Sequence, residues 1–131
     1  MPWQRTERCV VRAQPHCYTA GMSRTYACPV ELALDVLGGK WRTVVLAHIK
    51  EQPQRYAELR RLVPRMSEKM LTQRLHELVA QGLVASRSGR YVLTPRGESA
   101  RSVLTALFRW GEEIAPQLGL RIDPAPTRRR R

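Results

Sequence analysis

No run of the chain reaches the roughly eighteen consecutive apolar residues that a membrane-spanning helix requires. The opening segment MPWQRTERCVVRAQPHC lacks the apolar stretch of a secretory signal. Both absences point to a cytoplasmic protein with no membrane partner. Cysteine is scarce: Cys9, Cys17 and Cys28 are odd in number, with seven and ten residues between them. That spacing suits neither a disulfide framework nor the close ligand pairs of a zinc site, so no metal or other cofactor is expected. Acidic residues are outnumbered 23 to 11 by Lys and Arg, leaving a net charge of +12. Such a balance excludes cationic partners and favours nucleic acid or an anionic surface. Glycine-rich phosphate loops and paired catalytic carboxylates are missing too. A thiol enzyme built on Cys28 would need a base, and the histidines are poorly placed for that. His16 falls in an irregular extension, His48 among apolar helical positions, and His76 on a polar helix face. The chain is not expected to be an enzyme.

A length of 131 residues suits one domain, and two segments of different character bracket it. Residues 1–26 mix Pro, Gln, Arg and Ser without sustained periodicity and are expected to form a flexible extension. Met22, just ahead of the ordered pattern, is an alternative translation start. Residues 121–131 form a basic tail, expected to be disordered, that ends in Arg128 to Arg131. Between them, residues 27–120 carry the periodic signals.

The first helix starts at Pro29 and stops at Gly38-Gly39, with only Glu31 and Asp35 polar within it. A helix this apolar is buried on more than one side, which places it between its own core and a second subunit. A second helix spans Lys40 to Gln52 before Pro53, and Gln54-Arg55 reads as a brief extended stretch. Then come a short helix YAELRRL, the turn VPRM and a helix SEKMLTQRLHELVAQ stopped by Gly82. Two strands follow, LVASR and RYVLT, joined by Ser88-Gly89 alone. A last helix is expected to run unbroken from Thr94 to about Ile114, with a stripe that includes Val103, Leu104, Leu107, Trp110 and Ile114. The stripe and the apolar Val30, Leu34 and Leu37 of the first helix are read as a dimer seam. The fold class is mostly α with a small β-hairpin: a winged helix-turn-helix, dimerising through its first and last helices.

Charge agrees with that order. From Arg55 to Arg90 there are eight Lys/Arg against three Glu, whereas the flanking parts of the domain balance. In the helix after the turn, Leu71, Leu75 and Leu78 share one face, while Lys69, Gln73 and His76 point away and Thr72 and Arg74 flank them. Lys can donate to guanine and Gln can pair bidentately with adenine, so Lys69, Thr72, Gln73 and His76 are the candidate base readers. Ser67 is a natural N-cap at the end that approaches DNA. Arg55, Arg60, Arg61, Arg65 and Arg74 are candidate phosphate contacts, and Arg87 and Arg90 flank the hairpin tip within reach of a neighbouring groove.

The strings CPVELALDVLGGKW and RYAELRRLVPRMSEKMLTQRLHELVAQGLV, together with LTPRG and the late Trp110-Gly111, resemble the HxlR-type branch of the MarR-like winged-helix regulators. The match covers about Cys28 to Leu118 in order. The resemblance implies a homodimeric transcription factor on pseudo-palindromic double-stranded DNA, with first and last helices at the seam. It also implies that an oxidant or electrophile could act as signal through the cysteine at the position of Cys28. That cysteine directly precedes Pro29 at a helix N-terminus, where partial positive charge favours an anionic sulfur. One departure stands out: family members usually carry a longer wing hairpin, whereas Ser88-Gly89 makes the whole turn here. Two other readings are a nonspecific nucleic-acid-binding architectural protein driven by the arginine-rich ends, and a regulator that answers to a small apolar ligand at the seam.

Overall fold

A computed structural model describes residues 25–123. Cys9, Cys17, the alternative start at Met22 and the terminal arginine run lie outside the described residues. Among the described residues, six helices and one hairpin follow in the order α1 (Pro29–Leu37), α2 (Lys40–Glu51), α3 (Tyr56–Leu62), α4 (Glu68–Ala80), β1 (Val84–Arg87), β2 (Arg90–Leu93), α5 (Pro95–Ser99) and α6 (Arg101–Gln117).

The punctuation of the chain sets most of these boundaries. Pro29 opens α1, and Gly38, with φ of 76°, closes it by donating its N–H to Leu34. The Ser67 hydroxyl accepts from the Met70 N–H at 3.1 Å and caps α4. Thr94 caps α5 the same way, accepting from Gly97. Ser88 and Gly89 both have positive φ, as a tight two-residue hairpin turn demands, and set Arg87 opposite Arg90. Gln54 pairs with Tyr91 through backbone bonds of 3.1 and 2.8 Å, so the extended stretch before α3 lies against the hairpin.

The core gathers Val45, Leu46 and Ile49 of α2, Leu59 of α3, Val63 and Met66 of the turn, and Leu71, Leu75 and Leu78 of α4. Leu83, Val84 and Leu104 complete it, with Leu37 at one edge. Burying a leucine or valine stabilises the fold by about 1.5–3 kcal/mol; these contacts clamp the two arms of the helix-turn-helix at a fixed angle. Val79, at the edge of the α4 apolar face, is exposed.

Two expectations are corrected. The last helix is not continuous, because the chain breaks at Ala100 (φ −86°, ψ −4°) between α5 and α6. Gly97 presses so close to the Leu83 carbonyl that a Cβ there would sit 2.1 Å from the oxygen. Arg96 donates to Gln81 O at 2.9 Å, which holds α5 against the end of α4, while Arg101 reaches Lys50 O at 3.0 Å and steers α6 along α2. Beyond the break α6 continues past Ile114 through Pro116 to Gln117. The second correction concerns the seam. Leu37 and Leu104, both expected at a seam, are 7% and 2% exposed and pack into the chain's own core. Val30, Leu34, Val103, Leu107 and Trp110 are exposed, and Ile114 is half-buried.

Candidate nucleic-acid interface

One face of α4 is free of the core along its length. Lys69, Thr72, Gln73 and His76 are all exposed, on the side opposite Leu71, Leu75 and Leu78. The arrangement follows from the 100° step of the helix, which separates these two sets by roughly half a turn. The Tyr56 hydroxyl stands at the near edge, donating to Glu68 O at 3.2 Å and accepting from the Thr72 hydroxyl at 3.3 Å. Thr72 is therefore tied to α3, whereas Lys69, Gln73 and His76 are presented outward.

The arginines around this face fall into two groups. Arg55, Arg61 and Arg65 are exposed near α3 and the turn, and Arg87 and Arg90 are exposed at the hairpin tip. Arg60 and Arg74 are half-buried and engaged within the chain. Arg60 donates to the Met66 carbonyl and braces the turn. Arg74 donates to both Glu77 carboxylate oxygens, at 3.1 and 2.8 Å.

Glu77 also faces Arg42, a buried arginine of α2 that the sequence pattern does not single out. Arg42 is 2% exposed, and its Nη1 lies 3.4 Å from Glu77 Oε2. Its Nε donates to the carbonyl of Leu37 (3.0 Å) and its Nη2 to those of Asp35 (2.9 Å) and Val36 (3.3 Å), closing the C-terminal end of α1. A buried guanidinium is tolerable only when so fully bonded. The signal available in sequence was the combination of Gly38-Gly39 with an arginine one turn into the next helix, and it is weak.

Next to this cluster an open cleft of about 230 Å³ is lined by Gly38, Lys40, Trp41, Arg42, Met70 and Arg74. The Lys40 ammonium lies 4.7 Å from the centroid of the Trp41 ring. Cys28 is a free, half-buried thiol at the N-cap of α1, remote in sequence from α4. His48 sits on α2 with its pKa lowered, first by burial, against an opposing pull from Glu51. Among the described residues no cluster of His, Cys, Asp and Glu is set to hold a metal ion, and no helix is long and apolar enough to cross a membrane.

Residues 36–118 match the model of a family described as HxlR-like helix-turn-helix. The HTH-type transcriptional regulator YkvN of Bacillus subtilis is 37% identical over 101 residues, spanning 72% of this chain and 86% of its own. Among solved structures, the redox regulator HypR in its reduced form superposes with a TM-score of 0.62 at 33% identity, over 70% of this chain and 98% of that one. Quinone-bound YodB from B. subtilis superposes with a TM-score of 0.58 at 30% identity, covering 66% and 99% of the two chains.

Proposed function

The chain belongs to the HxlR-like helix-turn-helix family and is a transcriptional regulator of the helix-turn-helix type, and from that premise we propose that it reads a pseudo-palindromic operator as a homodimer. The single observation that carries this reading is the outward face of α4, where Lys69, Gln73 and His76 are exposed on a helix capped at Ser67 and braced from behind by the core. Such side chains in a major groove discriminate base pairs by about 1–3 kcal/mol for each good bidentate contact. Arg55, Arg61 and Arg65 meet phosphates beside the groove, and Arg87 and Arg90 meet them at the tip of a short wing. Two copies joined through α1 and α6 set the recognition helices one helical turn apart, about 34–36 Å, or a multiple of it.

Cys28 is the sensing residue in this reading. It occupies the N-cap position of α1 as a free thiol, so modification there acts on an element of the seam and changes the mutual tilt of the two α4 helices. The kinship with a redox regulator and with a quinone-bound regulator supports an oxidant or quinone as signal.

Selection of bound sequences from a random duplex library, repeated with and without a quinone, tests both parts. Gln73→Ala should relax preference at one base position, whereas Arg61→Ala should weaken all sequences about equally. Enrichment of no sequence would remove the operator reading in favour of nonspecific binding. Quinone should weaken wild-type binding and leave Cys28→Ser unaffected; equal response in both proteins would remove the thiol and point to a ligand held elsewhere.

A further inference from the structure

Helix α4 has two flanks: Arg55, Arg61 and Arg65 stand beside one, and of the expected phosphate contacts Arg74 stands on the other. A major groove is about 12 Å wide, close to the 10–12 Å breadth of a helix with its side chains. A helix that fills it therefore runs between two phosphate backbones, one on each side. On the α3 side stand Tyr56, Thr72 and the exposed Arg55, Arg61 and Arg65. On the α2 side stand Met70 and Arg74, and between them and the α1–α2 turn opens the cleft lined by Lys40, Trp41 and Arg42. Three of the six lining residues are cations and none is a carboxylate.

We propose that this cleft is the seat of a second backbone phosphate, held by Lys40 and Arg74, with Glu77 as the counter-ion that Arg74 gives up on binding. The inference rests on the DNA-reading role of α4 and adds residues to it. The charges in place explain how the exchange proceeds. Glu77 is shared by two guanidinium groups, Arg74 and Arg42. Arg42 is buried and fixed by the carbonyls of α1, while the Arg74 side chain is 27% exposed at the rim. When Arg74 turns to a phosphate, Glu77 keeps Arg42 at its side and no unpaired carboxylate is left in a buried place. Lys40 already points along the rim, its ammonium over the Trp41 ring, an arrangement that leaves its N–H groups free for a phosphate oxygen. The same ion-pair set ties the end of α1 to the middle of α4, so an anion seated there also fixes the relation of seam to recognition helix.

The test is the salt dependence of binding to two duplexes of equal length, a selected operator and a random sequence. Lys40 is exposed, so Lys40→Ala should fold as the parent does. It should lower the slope of log affinity against log salt by about 0.9 per phosphate lost, about 1.8 for a two-fold dimer, with both duplexes weakened by the same factor. Arg74→Ala should do likewise. Glu77→Gln should tighten binding to both duplexes, and the gain should vanish in Glu77→Gln combined with Arg74→Ala. Unchanged slopes in Lys40→Ala and Arg74→Ala, alongside a reduced slope in Arg61→Ala, would overturn the seat and leave the DNA-reading role standing. If Arg61→Ala is also silent and Gln73→Ala alters no base preference, both ideas fall together.

Discussion

His48 illustrates how one side chain links packing to solution behaviour. Its imidazole lies among the apolar residues of α2, and burial holds its pKa below the usual 6.5, with Glu51 pulling the other way. The unfolded chain therefore binds a proton at this position more readily than the folded one. Stability rises with pH wherever the unfolded state holds more protons. The contribution of the neutral ring is complete above about pH 6.5 and is lost as pH falls toward the lowered folded value. Urea unfolding followed between pH 7.5 and 5.5 should show stability declining over the acid half of that range. His48→Asn should flatten the decline, since it keeps a polar group of similar reach without the titration. A wild-type profile as flat as the variant's would place the pH response elsewhere.

At the scale of elements, the chemistry of ends explains what the sequence makes plain. Ser67, Thr94, Gly38 and the Ser88-Gly89 turn act through bonds to near neighbours, so each can be read where it stands. Ser67→Ala should cost about 1 kcal/mol of stability through the lost cap, measurable as a lower denaturation midpoint with an unchanged slope. A midpoint equal to wild type would show that the Met70 N–H finds water at no loss. What stays hidden in the sequence depends on partners far along the chain. Nothing in the pattern of α2 singles out Arg42, because its counter-ion is 35 residues away on α4. The break at Ala100 is likewise invisible, because the residues from Pro95 onward support one helix, whereas Gly97 meets the Leu83 carbonyl and Arg96 meets Gln81 O, partners in an earlier part of the chain. The apolar stripe of α6 also mixes two destinations. Leu104 points into the core, whereas Val103 and Leu107 face outward, and periodicity alone cannot divide an apolar arc between the two.

For the molecule as a whole, the exposed apolar surface asks for a partner. In a single chain α1 buries only Leu37, while Val30 and Leu34 are 61% and 63% exposed and Trp110 of α6 is 60% exposed. Monomeric proteins rarely leave contiguous apolar patches of more than a few hundred Å² open to water. Second copies of α1 and α6 would cover such faces, and the residues involved contribute little to the core of the single chain. Leu34→Glu and Trp110→Glu should for that reason fold normally and yet sediment as monomers. Operator affinity should then fall by about 10²–10⁴, because the second half-site is no longer held at high effective concentration. Binding to an isolated half-site should barely change, since α4 and its braces are untouched. That contrast separates loss of pairing from loss of fold. If both variants remain dimeric, the seam lies on another surface; if the wild-type chain itself sediments as a monomer on operator DNA, the spacing of recognition helices must come from the DNA alone.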